Sequence, residues 1–178
     1  MVRALFPTVP HSYHLERRQF IPRPLAEVFA FFADAGNLEA ITPPSLQFRI
    51  LTPQPIDIRT GTRIEYRLSL CGIAFQWRTR IETFDSPNRF SDVQERGPYQ
   101  LWRHTHDFSE QSGGTLMIDR VDYQLPLGPI GWLAHRLFVE RQLSHIFHYR
   151  YQAIERLLGE PKCRESEEMG DNLSQSVT

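Results

Sequence analysis

A chain of 178 residues with 40% hydrophobic and 23% charged content has the make-up of one globular domain and is too short for two ordinary ones. Its net charge of −1 supplies no field to draw nucleic acid or an anionic membrane, so no nucleic-acid partner is expected. No apolar run approaches the ~18 residues of a membrane span; MVRALFPTVPHSYHLERR is broken by Pro7 and Pro10 and lacks a secretion-signal pattern; and Cys71 and Cys163 form neither a ligand pair nor a framework, features that together point to the cytoplasm.

Residues 1–11 are expected to be flexible. Tyr13–Ile21 (YHLERRQFI) mixes apolar and charged residues as a strand does. Pro24 then opens a helix, PLAEVFAFFAD, where its missing N–H costs nothing. Leu25, Val28, Phe29 and Phe32 fall on one stripe of that helix. Gly36-Asn37 ends it, and a short second helix is expected over Leu38–Ile41, before Pro43-Pro44.

Strands follow. LQFRIL (46–51) is one candidate. In GTRIEYRLSL (61–70), Ile64, Tyr66 and Leu68 alternate with Arg63, Glu65 and Arg67. After a turn or bulge at Cys71-Gly72, Phe75, Trp77, Thr79 and Ile81 alternate with polar residues. SPN (86–88), RGP (96–98) and SGG (112–114) then separate strand candidates at 89–95, 100–108 and 115–125, which predicts an antiparallel meander. A helix is predicted from Gly131 to Leu158, about 40 Å long at 1.5 Å per residue. Its stripe is Leu143, Ile146, Phe147, Tyr151, Ile154, Leu157 and Leu158, with Gly159 as cap. The tail from residue 160 to 178 is polar and acidic on balance, the composition of a disordered segment.

The chemistry-bearing stretch is QLWRHTHDF (100–108). On a strand, Trp102, His104, His106 and Phe108 share one face, while Leu101, Arg103, Thr105 and Asp107 share the other. Two large aromatics assign the first face to the covered side. With a turn through SGG, Phe108 is expected opposite Thr115, His106 opposite Met117, His104 opposite Asp119 and Trp102 opposite Val121. A turn through RGP brings Asp92 to Trp102 and Phe90 to His104. The resulting face comprises Phe90, Asp92, Gln94, Trp102, His104, His106, Asp119, Val121 and Tyr123, extended by Tyr66 and Trp77 and roofed by Leu137 and Phe147 of the last helix. An apolar wall with a few converging polar groups is what a small-molecule pocket needs.

Competing readings bear on the same residues. His104, His106 and Asp119 are candidates for proton transfer, or could simply satisfy one another. A zinc site could use the His104/His106 spacing with Asp119 as third ligand, but no H-E-x-x-H pattern or cysteine partner supports it, and neither metal nor cofactor is expected. His145 and His148, with His135 earlier on the helix, read as helix surface. There is no G-x-S-x-G and no phosphate loop. Arg136, Arg141, Arg150 and Arg156, with Lys162 beyond, read as a solvated face. In LPLGPIGWLAHRLF (125–138), Trp132, Leu133, Leu137 and Phe138 could touch a membrane transiently or close over a ligand; the simpler expectation is that they pack on the sheet.

The order of strand, helix pair, six strands and one long C-terminal helix resembles the helix-grip fold of the START-like, or SRPBCC, superfamily. The resemblance rests on RPLAEVFAFFADAGNLEAITPPSLQFRI, GPYQLWRHTHDF and GGTLMIDRVDYQLPLGPIG, and covers roughly residues 12–159. It is to the bacterial branch described as cyclase/dehydrase-like or coenzyme Q-binding-like. It implies an α+β domain in which a curved antiparallel sheet of about seven strands surrounds the C-terminal helix. It further implies binding, transport or chaperoning of a lipid, quinone, isoprenoid or polyketide in the intervening cavity. The alternatives are an aromatase/cyclase- or dehydratase-type enzyme and an interaction module with a filled pocket. The sequence carries no signal for an oligomeric state.

Overall fold

Period-two alternation commits most of the chain to strands, and a computed structural model, which describes residues 12–70 and 72–159, assembles them into one antiparallel sheet. The strands are β1 (Ser12–Ile21), β2 (Arg49–Ile50), β3 (Arg63–Leu70), β4 (Ile73–Asp85), β5 (Arg89–Arg96), β6 (Leu101–Gln111) and β7 (Gly114–Gln124). Their spatial order, β1-β7-β6-β5-β4-β3-β2, makes β3 to β7 a meander that β1 closes at one edge. One helix, α1 (Leu25–Phe32), follows β1; α2 (Pro129–Ala134), a π-helical turn (His135–Val139) and α3 (Glu140–Leu158) run on from β7. This is the α+β helix-grip architecture that the resemblance implies. No helix among the described residues is long and apolar enough to cross a membrane. The expectations for residues 1–11 and 160–178, and for Cys71 and Cys163, fall outside the described residues.

The stripe on α1 buries Val28, Phe29 and Phe32, each contributing about 1.5–3 kcal/mol of transfer free energy. They pack with Phe90, Phe108 and Met117 of the sheet and with Ala153, Ile154 and Leu158 of α3. A second cluster joins Val121 and Tyr123 of β7 to Leu143 and Phe147.

Several expectations are corrected. The helix expected over Leu38–Ile41 is replaced by two 3-10 turns, Ala35–Leu38 and Pro44–Leu46, because Gly36 and Pro43-Pro44 interrupt any longer hydrogen-bonded run. LQFRIL pairs over only Arg49 and Ile50. The last helix begins at Pro129 and is broken by the π turn, whose extra residue shifts the phase of α2 against α3. Gly131 and His135 therefore face inward, while Trp132, Leu133, Leu137 and Phe138 are 41–61% exposed rather than packed on the sheet. On α3, Tyr151 and Leu157 are exposed and the inward line runs through Leu143, Phe147, Arg150, Ile154 and Leu158.

Candidate functional site

Alternation on β6 turns His104 and His106 inward, both buried, between the inward Trp102 and Phe108. The outward Arg103 and Asp107 make surface ion pairs instead, with Glu82 and with Arg89 and Arg120. The facing is as the sequence predicts, but the register is two residues away. His106 lies opposite Asp119 and Phe90, His104 opposite Val121 and Asp92, and Trp102 opposite Tyr123. The cause is the turn. The ladder runs on to Gln111↔Gly114, so only Ser112-Gly113 spans the hairpin, with Gly113 at φ +83°. A two-residue slip preserves every facing and changes every partner.

Beneath α3 the concave face leaves a cavity of about 180 Å³. Tyr66, Trp77, Phe90, Asp92, Trp102, His104, His106 and Phe147, all named from the sequence, line it. Trp77 and Trp102 meet edge to face at 5.3 Å between centroids, and Tyr99 leans on Trp102 at 4.7 Å. The buried Trp77 Nε1 has no hydrogen-bond partner among the described residues. Five other residues named from the sequence do not line the cavity. Gln94 binds the Tyr99 backbone, Val121 and Tyr123 are absorbed into the second core cluster, and Leu137 is 52% exposed. Asp119 lies behind the imidazoles, 1% exposed.

Asp119 organises the polar centre. Its Oδ1 is 2.5 Å from His106 Nδ1 and 3.6 Å from His104 Nε2, and its Oδ2 is 3.7 Å from Arg150 Nε. These are ion-pair distances; none of the contacting Oδ1, Nδ1, Nε2 and Nε atoms has an aligned hydrogen bond among the described residues. Burial alone would raise the Asp119 carboxyl, but His106 and Arg150 outweigh it and hold the group well below the usual range. Burial, aided by the facing His106, lowers His104 to about 4, and burial lowers His106 despite the pull of Asp119. Asp92 is raised by burial; its Oδ1 accepts from Thr79 Oγ1 at 2.6 Å, and its Oδ2 stands 3.9 Å from His104 Nδ1. At neutral pH the cavity therefore presents neutral imidazoles between two carboxyl groups, one of them neutralised by Arg150. Such a set can orient a polar ligand atom or relay a proton. One donor atom each from Asp92, His104 and His106 also lies within 4.8 Å of the others, a separation a metal ion could bridge.

Arg150 is the main site residue that sequence reasoning placed wrongly. It is not on a solvated face: its side chain is 13% exposed, lines the cavity and lies over Phe32 at 5.8 Å. The signal was its position three residues after Phe147 and seven after Leu143. Tyr99, Phe32, Leu143 and Ile146 also line the cavity. His145 and His148 are exposed, as read, but His135 is buried against Tyr13 and meets the Tyr123 hydroxyl at 2.9 Å.

No family model and no curated protein matches the chain. Among solved structures, the Zhui aromatase/cyclase from Streptomyces sp. R1128 superposes with a TM-score of 0.66 at 17% identity, over 84% of this chain and 94% of that one. The major latex-like protein 151 of Panax ginseng gives 0.58 at 13% identity, over 83% and 97%. A nucleoside-diphosphate sugar epimerase from Corynebacterium glutamicum gives 0.60 at 27% identity, but the match spans 82% of this chain and only 29% of that one. These likenesses establish a shared helix-grip fold.

Proposed function

We propose that this helix-grip domain binds a hydrophobic small molecule, of the lipid, quinone, isoprenoid or polyketide kind, between the concave sheet and α3, as a carrier or chaperone. One observation carries the reading: an open, aromatic-walled cavity into which only a few polar groups converge. Apolar walls provide affinity through burial at about 25 cal/mol per Å². Trp77 Nε1 and the His104–Asp92 edge supply a donor and acceptors to orient a ligand. A filled-pocket interaction module is disfavoured by the same open space. The exposed apolar residues of 127–138 would give such a carrier a transient membrane contact, checked by co-sedimentation with phospholipid vesicles.

Native mass spectrometry of freshly purified protein, followed by extraction, tests the proposal. A bound hydrophobic molecule is expected. A panel of lipids and quinones should raise the melting temperature as RT ln(1 + [L]/Kd) predicts, and Ile146→Trp, filling the cavity from α3, should abolish the rise. Empty protein in repeated preparations, with no thermal shift across the panel, defeats it.

A second reading is an aromatase/cyclase- or dehydratase-type enzyme. Its support is the buried His106–Asp119 pair beside the cavity and the named activity of one structural neighbour. It requires turnover of the bound molecule, and loss of rate with retained binding in His106→Gln.

A further inference from the structure

We propose that Asp92, His104 and His106 form a binding site for a divalent first-row transition metal ion, such as Zn²⁺, open on one side to the cavity. The site stands on its own geometry and does not require an organic ligand.

The ladder places the three groups together. Asp92 is directly opposite His104, and His106 is the next inward residue on the same strand. Each side chain has one polar atom turned toward a neighbour and another left over. Thr79 holds Asp92 Oδ1, which leaves Oδ2. Asp119 Oδ1 faces His106 Nδ1 and His104 Nε2, which leaves His106 Nε2 and His104 Nδ1. The leftover His104 Nδ1 and Asp92 Oδ2 face each other at 3.9 Å, and one donor from each of the three residues falls within 4.8 Å of the others. In a tetrahedral zinc centre with bonds of about 2.0–2.2 Å the donors lie about 3.4 Å apart, so closure needs side-chain shifts of about 1 Å.

The surroundings match what such a site needs. A carboxylate against the far nitrogen of a ligating histidine fixes its tautomer and orientation, and Asp119 stands in that position for both rings. Arg150 balances Asp119, while among the described residues Asp92 has no Arg or Lys within ion-pair distance and faces His104. Two nitrogens and one carboxylate suit zinc, cobalt or iron(II); calcium and magnesium call for an oxygen shell that is missing here. Three protein ligands leave at least one coordination position, on the side where the apolar walls would hold a ligand.

The full chain, stripped with 1,10-phenanthroline and kept reduced, is titrated with ZnCl₂ by calorimetry. One saturable ion per chain is expected. Affinity should fall about 10–100-fold in Asp119→Asn, the typical loss for an outer partner, and further in Asp92→Asn and His104→Gln. His148→Gln, at an exposed histidine, should bind as wild type. Should a variant fail to fold, imidazole ¹⁵N spectra of wild type decide the matter: Zn²⁺ should shift His104 and His106 and leave His145 and His148 in place. Absence of 1:1 binding to wild type overturns the proposal. So do undiminished affinity in both Asp92→Asn and His104→Gln, and a thiolate charge-transfer band with Co²⁺. Failure of zinc alongside a thermal shift by a quinone or lipid in stripped protein defeats this site and leaves the cavity reading standing; the converse result separates them the other way.

Discussion

His104 titrates at about 4 in the folded chain because burial disfavours its charged form, with the facing His106 adding to the effect, against an ordinary value of 6.5. The unfolded chain therefore binds more protons than the folded one between those pH values. Stability from this group is fully present above 6.5 and is lost as pH falls toward 4. At 1.36 kcal/mol per pH unit the loss is about 3 kcal/mol, a large part of the 5–15 kcal/mol by which domains are ordinarily stable. His106, lowered by burial, acts in the same direction, and Asp119, held low by His106 and Arg150, does so below its ordinary 3.8. Asp92, raised by burial, acts oppositely and recovers some stability as pH falls through its folded value. The clean comparison is His104→Gln, which keeps a polar group of similar shape and removes the titration. Urea unfolding followed by tryptophan fluorescence, at half-unit steps from pH 4 to 8, should show the stability of wild type relative to the variant shrinking by about 3 kcal/mol as pH falls from 7 to 4. Parallel profiles for the two proteins, or a His104 resonance titrating near 6.5, would refute the reasoning.

Arg150→Met should cost about 3–5 kcal/mol at pH 7, because it strands the buried Asp119 carboxylate; part of the loss should return as the pH falls and His106 takes up a proton in its place. A denaturation midpoint no lower than that of Arg156→Met, at an exposed position, would count against it. Gly114→Ala would set a Cβ 2.3 Å from the Ile21 carbonyl oxygen and should cost about 1–3 kcal/mol. Gly113→Asn, in open space at φ +83°, should cost less, and equal urea midpoints would contradict that close approach. Leu137→Ser should stay within about 0.5 kcal/mol of wild type, whereas Leu143→Ala should lose about 2–5 kcal/mol, since the two are 52% and 4% exposed; similar losses would refute the phase assigned to the π turn.

What the sequence makes legible is parity. Alternation along 61–70, 73–85 and 100–108 assigns Ile64, Trp77, Thr79, His104 and His106 to the inside, and all five are buried. What it hides has identifiable causes. The π turn has no breaker residue to announce it, so 131–158 reads as one helix and its exposed first half as core. By its charge Arg150 reads as surface, whereas its phase with Leu143 and Phe147 places it on the inward line. Tyr151 and Leu157 invert that error: they are apolar, yet Tyr151 lies one position past the inward line through Arg150 and Leu157 one position short of Leu158, and both are exposed. Tyr99 belongs to the loop between β5 and β6, where no periodicity operates, and it enters the cavity wall because Gln94 binds its backbone.

The chemistry of the centre rests on the part that parity leaves free. Moving β7 by two residues along β6 would keep Asp119 inside but set it against His104, and the like change on the other side would put Asp92 beside Trp102. Two carboxylates would then be distributed differently over two imidazoles with no change in the composition of the face. The observed pairing follows from a turn of two residues, Ser112 and Gly113, and from Gly114, which lets β7 begin hard against the Ile21 carbonyl. A side chain at 114 strains this junction, about five residues along β7 from Asp119. The reach of Asp119 to both imidazoles, and with it the freedom of the Asp92 edge to face the cavity, is thus set at the hairpin tip by residues that do not line the cavity.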